Sequence, residues 1–150
     1  MTGKITEKNL GFTLIEIIMV LAIIGLIALV TLPIYQQIKP GITLNSQTRD
    51  IVSDLRYAQQ LSVTEQINYS VVFDSVLSKY SIINNSSGAT LKTQNINPLI
   101  SIESITGLTA DTVTFNVTGA SLESGSIILT SSNGNTKTIS IKPSGYVKIE

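Results

Sequence analysis

Gly11-Phe12-Thr13-Leu14-Ile15-Glu16 opens an apolar run that continues from Ile17 to Leu32, and the fold turns on how this stretch is read. Between Phe12 and Leu32 the only ionisable side chain is Glu16. At roughly 1.5 Å per residue, a helix of this length is about long enough to cross a ~30 Å hydrocarbon core. The segment therefore reads as a membrane helix. A secretory signal peptide shares the basic start, but its apolar core of about 7 to 15 residues ends at a small-residue cleavage site. Here the core is longer, and Leu32-Pro33-Ile34-Tyr35 offers no such exit.

A carboxylate in this run needs a reason, because an acid at the centre of a membrane helix costs about 2.5 to 3.5 kcal/mol. One reading keeps Glu16 in the first turn, wet and near the positive end of the helix dipole, where an anion gains about 0.3 to 1 kcal/mol. The sharper reading uses Gly11. Cleavage after it would make Phe12 the new amino terminus and put a positive amine one helical turn before Glu16, on the same face. In lipid an isolated carboxylate and an isolated ammonium are each expensive. Pairing them between neighbouring subunits offsets both costs and sets the axial register.

Lys8-Asn9-Leu10-Gly11-Phe12-Thr13-Leu14-Ile15-Glu16, followed by the uncharged run and Pro33, resembles the amino-terminal signature of type IV pilins and type II secretion pseudopilins. The resemblance implies that a membrane-embedded prepilin peptidase cuts between Gly11 and Phe12 on the cytoplasmic side and, as a methyltransferase, methylates Phe12. It further implies that Glu16 recruits the next subunit, and Pro33 falls where the family helix usually bends. The implied partners are that peptidase, other pilin or pseudopilin subunits, the inner-membrane assembly platform and the membrane itself.

Composition suits a small anchored domain. With 150 residues there is room for one helix and one domain, since single domains typically hold about 100 to 150 residues. Ten basic and ten acidic side chains balance; losing Lys4, Lys8 and Glu7 with a leader leaves eight and nine. No net field favours nucleic acid. Histidine and cysteine are both absent, which excludes Ser-His-Asp and Cys-His catalysis, disulfides and the common zinc sites. Asp50 and Asp54 lie one helical turn apart and read as a solvated helix face rather than a catalytic pair. Gly107, Gly119 and Gly125 make no phosphate cradle, and Gly134 and Gly145 read as turn residues. Asp74 and Asp111 lack the dense oxygen-ligand run of a calcium loop. No enzyme, cofactor or metal site is expected.

Taken in order, residues 1–11 form a polar leader whose Lys4 and Lys8 favour a cytoplasmic amino terminus. Residues 12–38 form the transmembrane and assembly helix. Pro33 would leave the Leu29 carbonyl without its helical donor, so a bend is expected near Leu29 to Pro33, with Gly25 a second soft point. Lys39-Pro40-Gly41 predicts a kink or short break, after which residues 39–66 resume as an amphipathic helix. There Ile51, Leu55, Ala58 and Leu61 recur at helical spacing and face the domain, with Arg49, Asp50, Asp54 and Glu65 elsewhere.

Residues 67–150 read as a β-rich domain of short β-branched strands separated by Ser, Asn and Gly. Strands are expected near Asn68 to Phe73, Lys79 to Ile83, Thr90 to Thr93, Leu99 to Ser104, Thr112 to Asn116, Ser126 to Thr130, Thr136 to Ile141 and Tyr146 to Ile149. Asn133-Gly134 is expected to supply the positive φ angles of a tight hairpin turn. Two features, Leu55-Arg56-Tyr57-Ala58-Gln59-Gln60 and the order of phenylalanine strand, hairpin and Gly145-Tyr146-Val147, resemble the minor pseudopilin H and FimT-type branch. The expected fold is thus α+β and pilin-like, a long amino-terminal helix packed on a small antiparallel β-rich domain.

That resemblance implies a minor pseudopilin or pilin subunit that helps initiate or cap a pseudopilus in protein secretion. Such a subunit would sit once through a bacterial inner membrane, with its domain periplasmic or extracellular. The alternatives are a FimT-type minor pilin for DNA uptake or adhesion, and an uncleaved single-span protein with a ligand-binding β-domain. DNA is the less favoured partner. The candidate contacts Lys137, Lys142 and Lys148 with Tyr146 include no arginine cluster, and the tail ends in Glu150.

Overall fold

Leu14–Glu65 form one α-helix, α1, in the computed structural model, which describes residues 11–150. The leader expected at 1–11 lies outside the described residues apart from Gly11. Two units are distinguished, one ending at Gln37 and one spanning Ile38–Glu150.

In the first unit no side chain from Gly11 to Gln37 is buried, although most of the segment is Ile, Leu, Val and Ala. Such exposure is large for an apolar surface in water and is normal for one solvated by lipid or by other helices. By length and composition this helix is able to cross a membrane.

In the second unit α1 is amphipathic. Leu44, Thr48, Ile51, Val52, Leu55, Ala58 and Ser62 are buried, and their spacing of three and four places them on one face. The short break expected at Lys39-Pro40-Gly41 is not formed, because the helix continues through it. A proline inside a helix costs about 3 kcal/mol. Pro40 is itself buried, and the apolar face that follows it, with Ile51, Leu55 and Ala58 fully inaccessible, more than offsets that cost. The helix ends at Gln66, whose φ of 54° turns the chain out of helical geometry.

All eight expected strands form, with ends displaced by no more than two residues: β1 Tyr69–Asp74, β2 Lys79–Asn84, β3 Thr90–Asn95, β4 Ile100–Thr106, β5 Thr112–Phe115, β6 Gly125–Ser131, β7 Thr136–Ile141 and β8 Val147–Ile149. They divide into two antiparallel four-stranded sheets, ordered β3-β2-β1-β5 and β4-β6-β7-β8. Alternate residues point inward. Tyr69, Val71, Phe73, Tyr80, Ile82, Val113 and Phe115 of the first sheet join Ile127, Leu129, Ile139, Ile141 and Val147 of the second and the buried face of α1 in one core. Phe73 and Tyr80 pack with ring centroids 5.6 Å apart.

The β6–β7 hairpin turns where expected, by a different device. Only Gly134 takes a positive φ, of 83°. Asn133 instead uses its side chain, whose oxygen accepts from the Ser131 hydroxyl, while the Ser131 amide bonds the Asn135 carbonyl. An asparagine that bonds its own loop need not enter the left-handed region.

The connection from β4 to β5 carries two consecutive residues, Ala110 and Asp111, at φ 50° and 52°. Glu123 holds this strained segment, accepting from the Thr109 amide at 2.6 Å and the Thr109 hydroxyl at 2.7 Å. Those donors, the backbone amide first, keep the Glu123 carboxyl below its ordinary value of 4.5. A depressed carboxylate pKa stabilises the fold above the unfolded-state value and ceases to do so as pH falls through the folded one. Wild type should therefore be more stable than Glu123→Gln at pH 6, and urea unfolding should show that margin disappearing as pH falls below about 4.

Candidate assembly site

The amino-terminal turn is closed by two reciprocal hydrogen bonds. The Glu16 amide donates to Thr13 Oγ1 and the Thr13 amide to Glu16 Oε2, both at 3.4 Å. Thr13 thus caps α1 and Glu16 is the third helical residue, which is the capping-box arrangement. Sequence reading placed Glu16 in the first turn but missed Thr13 as its counterpart, although the Thr-x-x-Glu spacing before an apolar run is the signal for it. Both bonds are long, and a carboxylate accepts at about four lone-pair positions. Glu16 keeps capacity for a second, cationic partner. Phe12 stands 82% exposed immediately before the cap. Gly11, Phe12 and Glu16 are therefore gathered at one helix end, whereas Pro33 lies within the helix, where its ring nitrogen cannot serve the Leu29 carbonyl.

In the second unit, side chains of α1 tie the two sheets together. Gln59 Nε2 donates to the Gly119 carbonyl at 2.5 Å and to the Gly145 carbonyl at 3.2 Å. One amide thereby clamps the turn after β5 to the turn between β7 and β8. Arg56 donates to the Val147 carbonyl at 3.4 Å. The Ser62 hydroxyl donates to carbonyls of Ala58 and Phe115 and accepts from the Tyr69 amide, settling the chain as it leaves the helix. No local sequence signal marks Gln59, because its partners lie 60 and 86 residues away.

Asp54 corrects an expectation. It is not on a solvated face but 7% exposed, accepting from the Tyr80 hydroxyl at 2.8 Å and pairing with Lys92 Nζ at 2.6 Å. A buried carboxylate is tolerated when a cation and a hydroxyl both meet it. Burial, then Asp54, pushes the Tyr80 phenol well above its ordinary range, so it stays a donor. Asp50 remains exposed, as expected.

Of the lysines weighed for DNA contact, two share a face with Tyr146 and one does not. The amide of Lys142 bonds the Tyr146 carbonyl, and Ser140 is paired with Lys148. Register is thus kept through the Pro143-Ser144-Gly145 turn, and Lys142, Tyr146 and Lys148 share the outer face. Lys137 has the inward parity of Ile139 and Ile141, and Lys148 is paired with Glu150 at 3.3 Å.

Residues 47–145, the amphipathic part of α1 and nearly the whole β-domain, match the family of type II transport protein GspH. The chain belongs to this family. Residues 8–32 match the prokaryotic N-terminal methylation motif, which covers the apolar run from Phe12 to Leu32. No curated protein matches the chain. Among solved structures, the type IV minor pilin FimU of Pseudomonas aeruginosa superposes with a TM-score of 0.59 at 19% identity, covering 71% of this chain and 87% of that one. The minor pseudopilin EpsH from the type 2 secretion system of Vibrio cholerae gives 0.60 at 7% identity, covering 71% and 95%. At such identities the likeness is one of fold, and the fold is pilin-like. The GspH family is one of structural pilin and pseudopilin subunits, not an enzyme family.

Proposed function

We propose that this GspH-family chain is a minor pseudopilin or pilin subunit, cut between Gly11 and Phe12, methylated on Phe12 and assembled through α1 into a type II secretion or type IV pilus filament. In the secretion reading it helps to initiate or cap the pseudopilus. The observation that carries the proposal is the exposed apolar part of α1, up to Gln37, whose single carboxylate, Glu16, stands one turn after Phe12 at the capped end. Before assembly the segment from Phe12 to about Leu32 anchors the subunit in the inner membrane, amino terminus inside and domain outside. During assembly the same surface trades lipid for neighbouring helices, and the Phe12 amine of one subunit meets Glu16 of another. The peptidase and the assembly platform are the partners at these two steps.

The intact mass and amino terminus of the chain, purified from membranes of a host with its own prepilin peptidase, test this directly. A chain beginning at N-methyl-Phe12 is expected. Retention of residues 1–11 would sink the proposal in favour of an uncleaved single-span protein. The competence-pilin alternative gains Lys142 and Tyr146 on one outer face, and salt-sensitive DNA binding by the protein would favour it.

A further inference from the structure

β3 (Thr90–Asn95) is an edge of the first sheet, and all its residues except Lys92 are exposed. Natural edges are kept short, bulged or guarded by an outward lysine, because an open ladder templates pairing with another chain. The other edges follow that rule. β5 is continued by the bridge from Phe115 to Ser121 and by the Leu122 amide on the Thr114 carbonyl. β4 is irregular between Ile102 and Ser104, and β8 has three residues. β3 is bulged at Leu91, near its start, but stays regular over the four residues from Lys92 to Asn95, and its lysine does not guard them, since Nζ is turned beneath the sheet onto both oxygens of Asp54.

The ladder fixes which groups are open. The Ile96 amide bonds the Ser78 carbonyl, one step beyond the Lys79–Asn95 pair. Alternation then turns the peptide groups of Gln94 and Lys92 toward β2 and those of Thr93 and Asn95 outward. Beneath this edge lies a polar cleft of about 410 Å³ walled by Gln47, Asp50 and Asp54 of α1, by Tyr80, and by Lys92 and Gln94 of β3. A strand laid beside β3 would roof the cleft and direct alternate side chains at α1. The charge of Asp54 is met by Lys92, while Asp50 has no hydrogen bond or ion pair among the described residues. The cleft therefore carries one uncompensated negative charge.

We propose that β3 and this cleft bind an extended segment of a neighbouring filament subunit, which adds a fifth strand and seats a lysine or arginine side chain against Asp50. This rests on the filament reading above. Main-chain bonds to Thr93 and Asn95 supply affinity, and the acidic cleft selects the side chain.

The chain has no cysteine, so Gln94→Cys places a unique thiol at the cleft. In the full-length protein, maleimide labelling of that thiol should be about tenfold slower in filaments from the native host than in membranes before assembly. Ser86→Cys, in the exposed β2–β3 loop, should label equally in both. Equal labelling of Gln94→Cys in both states would overturn the proposal. Absence of the chain from filaments, with residues 1–11 retained, would instead overturn the filament reading and this proposal with it. Thr93→Pro removes an outward amide and leaves the β2 ladder intact. It and Asp50→Lys should each lower filament incorporation by roughly fivefold or more, as loss of a central contact does, with thermal unfolding little changed. Incorporation of both variants at the wild-type level would refute strand addition.

Discussion

Gly145→Ala should destabilise the domain by about 3 kcal/mol or more, near the upper end of what single substitutions cost. Gly145 has a φ of 80°, which an L-residue adopts only with strain. Its environment then adds overlap. A Cβ there would stand 2.0 Å from the Gly119 carbonyl oxygen and 2.3 Å from Gln59 Nε2. Relief requires moving either the backbone of the turn after β5 or the side chain that clamps both turns, so the Gln59 hydrogen bonds to Gly119 and Gly145 are lost with it. Gly88→Ala is the matched comparison. Its φ of 70° is similar, but nothing lies within 4 Å of the added carbon, so only the left-handed penalty of about 1 to 2 kcal/mol applies. Urea unfolding of the two variants side by side separates strain from overlap. Equal losses would show that Gly119 and Gln59 yield freely to the new methyl group.

Glu16→Ala is expected to remove the chain from filaments almost completely while leaving cleavage after Gly11 and the amount held in the membrane unchanged. An acid in an apolar span costs about 2.5 to 3.5 kcal/mol at the centre and less near its end. Its removal therefore strengthens anchoring, and lost assembly cannot be blamed on lost insertion. The capping box supplies a second role that must be separated from the first. Glu16→Gln retains an acceptor for the Thr13 amide, because glutamine serves at this position of a capping box, yet it carries no charge for an amine. If pairing with the Phe12 amine of a neighbour drives assembly, Glu16→Gln should fail as Glu16→Ala does. Wild-type incorporation of Glu16→Gln, measured by quantifying the chain in sheared filaments, would reduce Glu16 to a helix cap.

The elements that a local pattern can specify were legible. Period-two runs such as Thr138-Ile139-Ser140-Ile141 announced their strands, since alternation depends only on which face is buried. Asn133-Gly134 announced a turn, although not how Asn133 would satisfy it. The reading of Asp54 failed for a physical reason. Its neighbour Leu55 belongs to the buried stripe, and a carboxylate at the border of such a stripe goes to water unless partners come to it. Tyr80 and Lys92 do come, from 26 and 38 residues away. Of the kink or short break expected at Lys39-Pro40-Gly41, the break does not form, because its local driving force is outweighed by burial of Leu44, Ile51 and Leu55 against strands that follow later in the chain.

The sequence by itself determined the apolar helix with its lone Glu16 after Gly11-Phe12, the positions of the strands and the absence of histidine and cysteine chemistry. Each of these depends on composition or on neighbours within a few residues. Tertiary structure alone decided the division into two sheets, the clamp of Gln59 on Gly119 and Gly145, the burial of Asp54 and the open edge of β3. Those features are set by which distant strands pair and which groups they leave over, and the free energy of such pairing is not carried by any one segment.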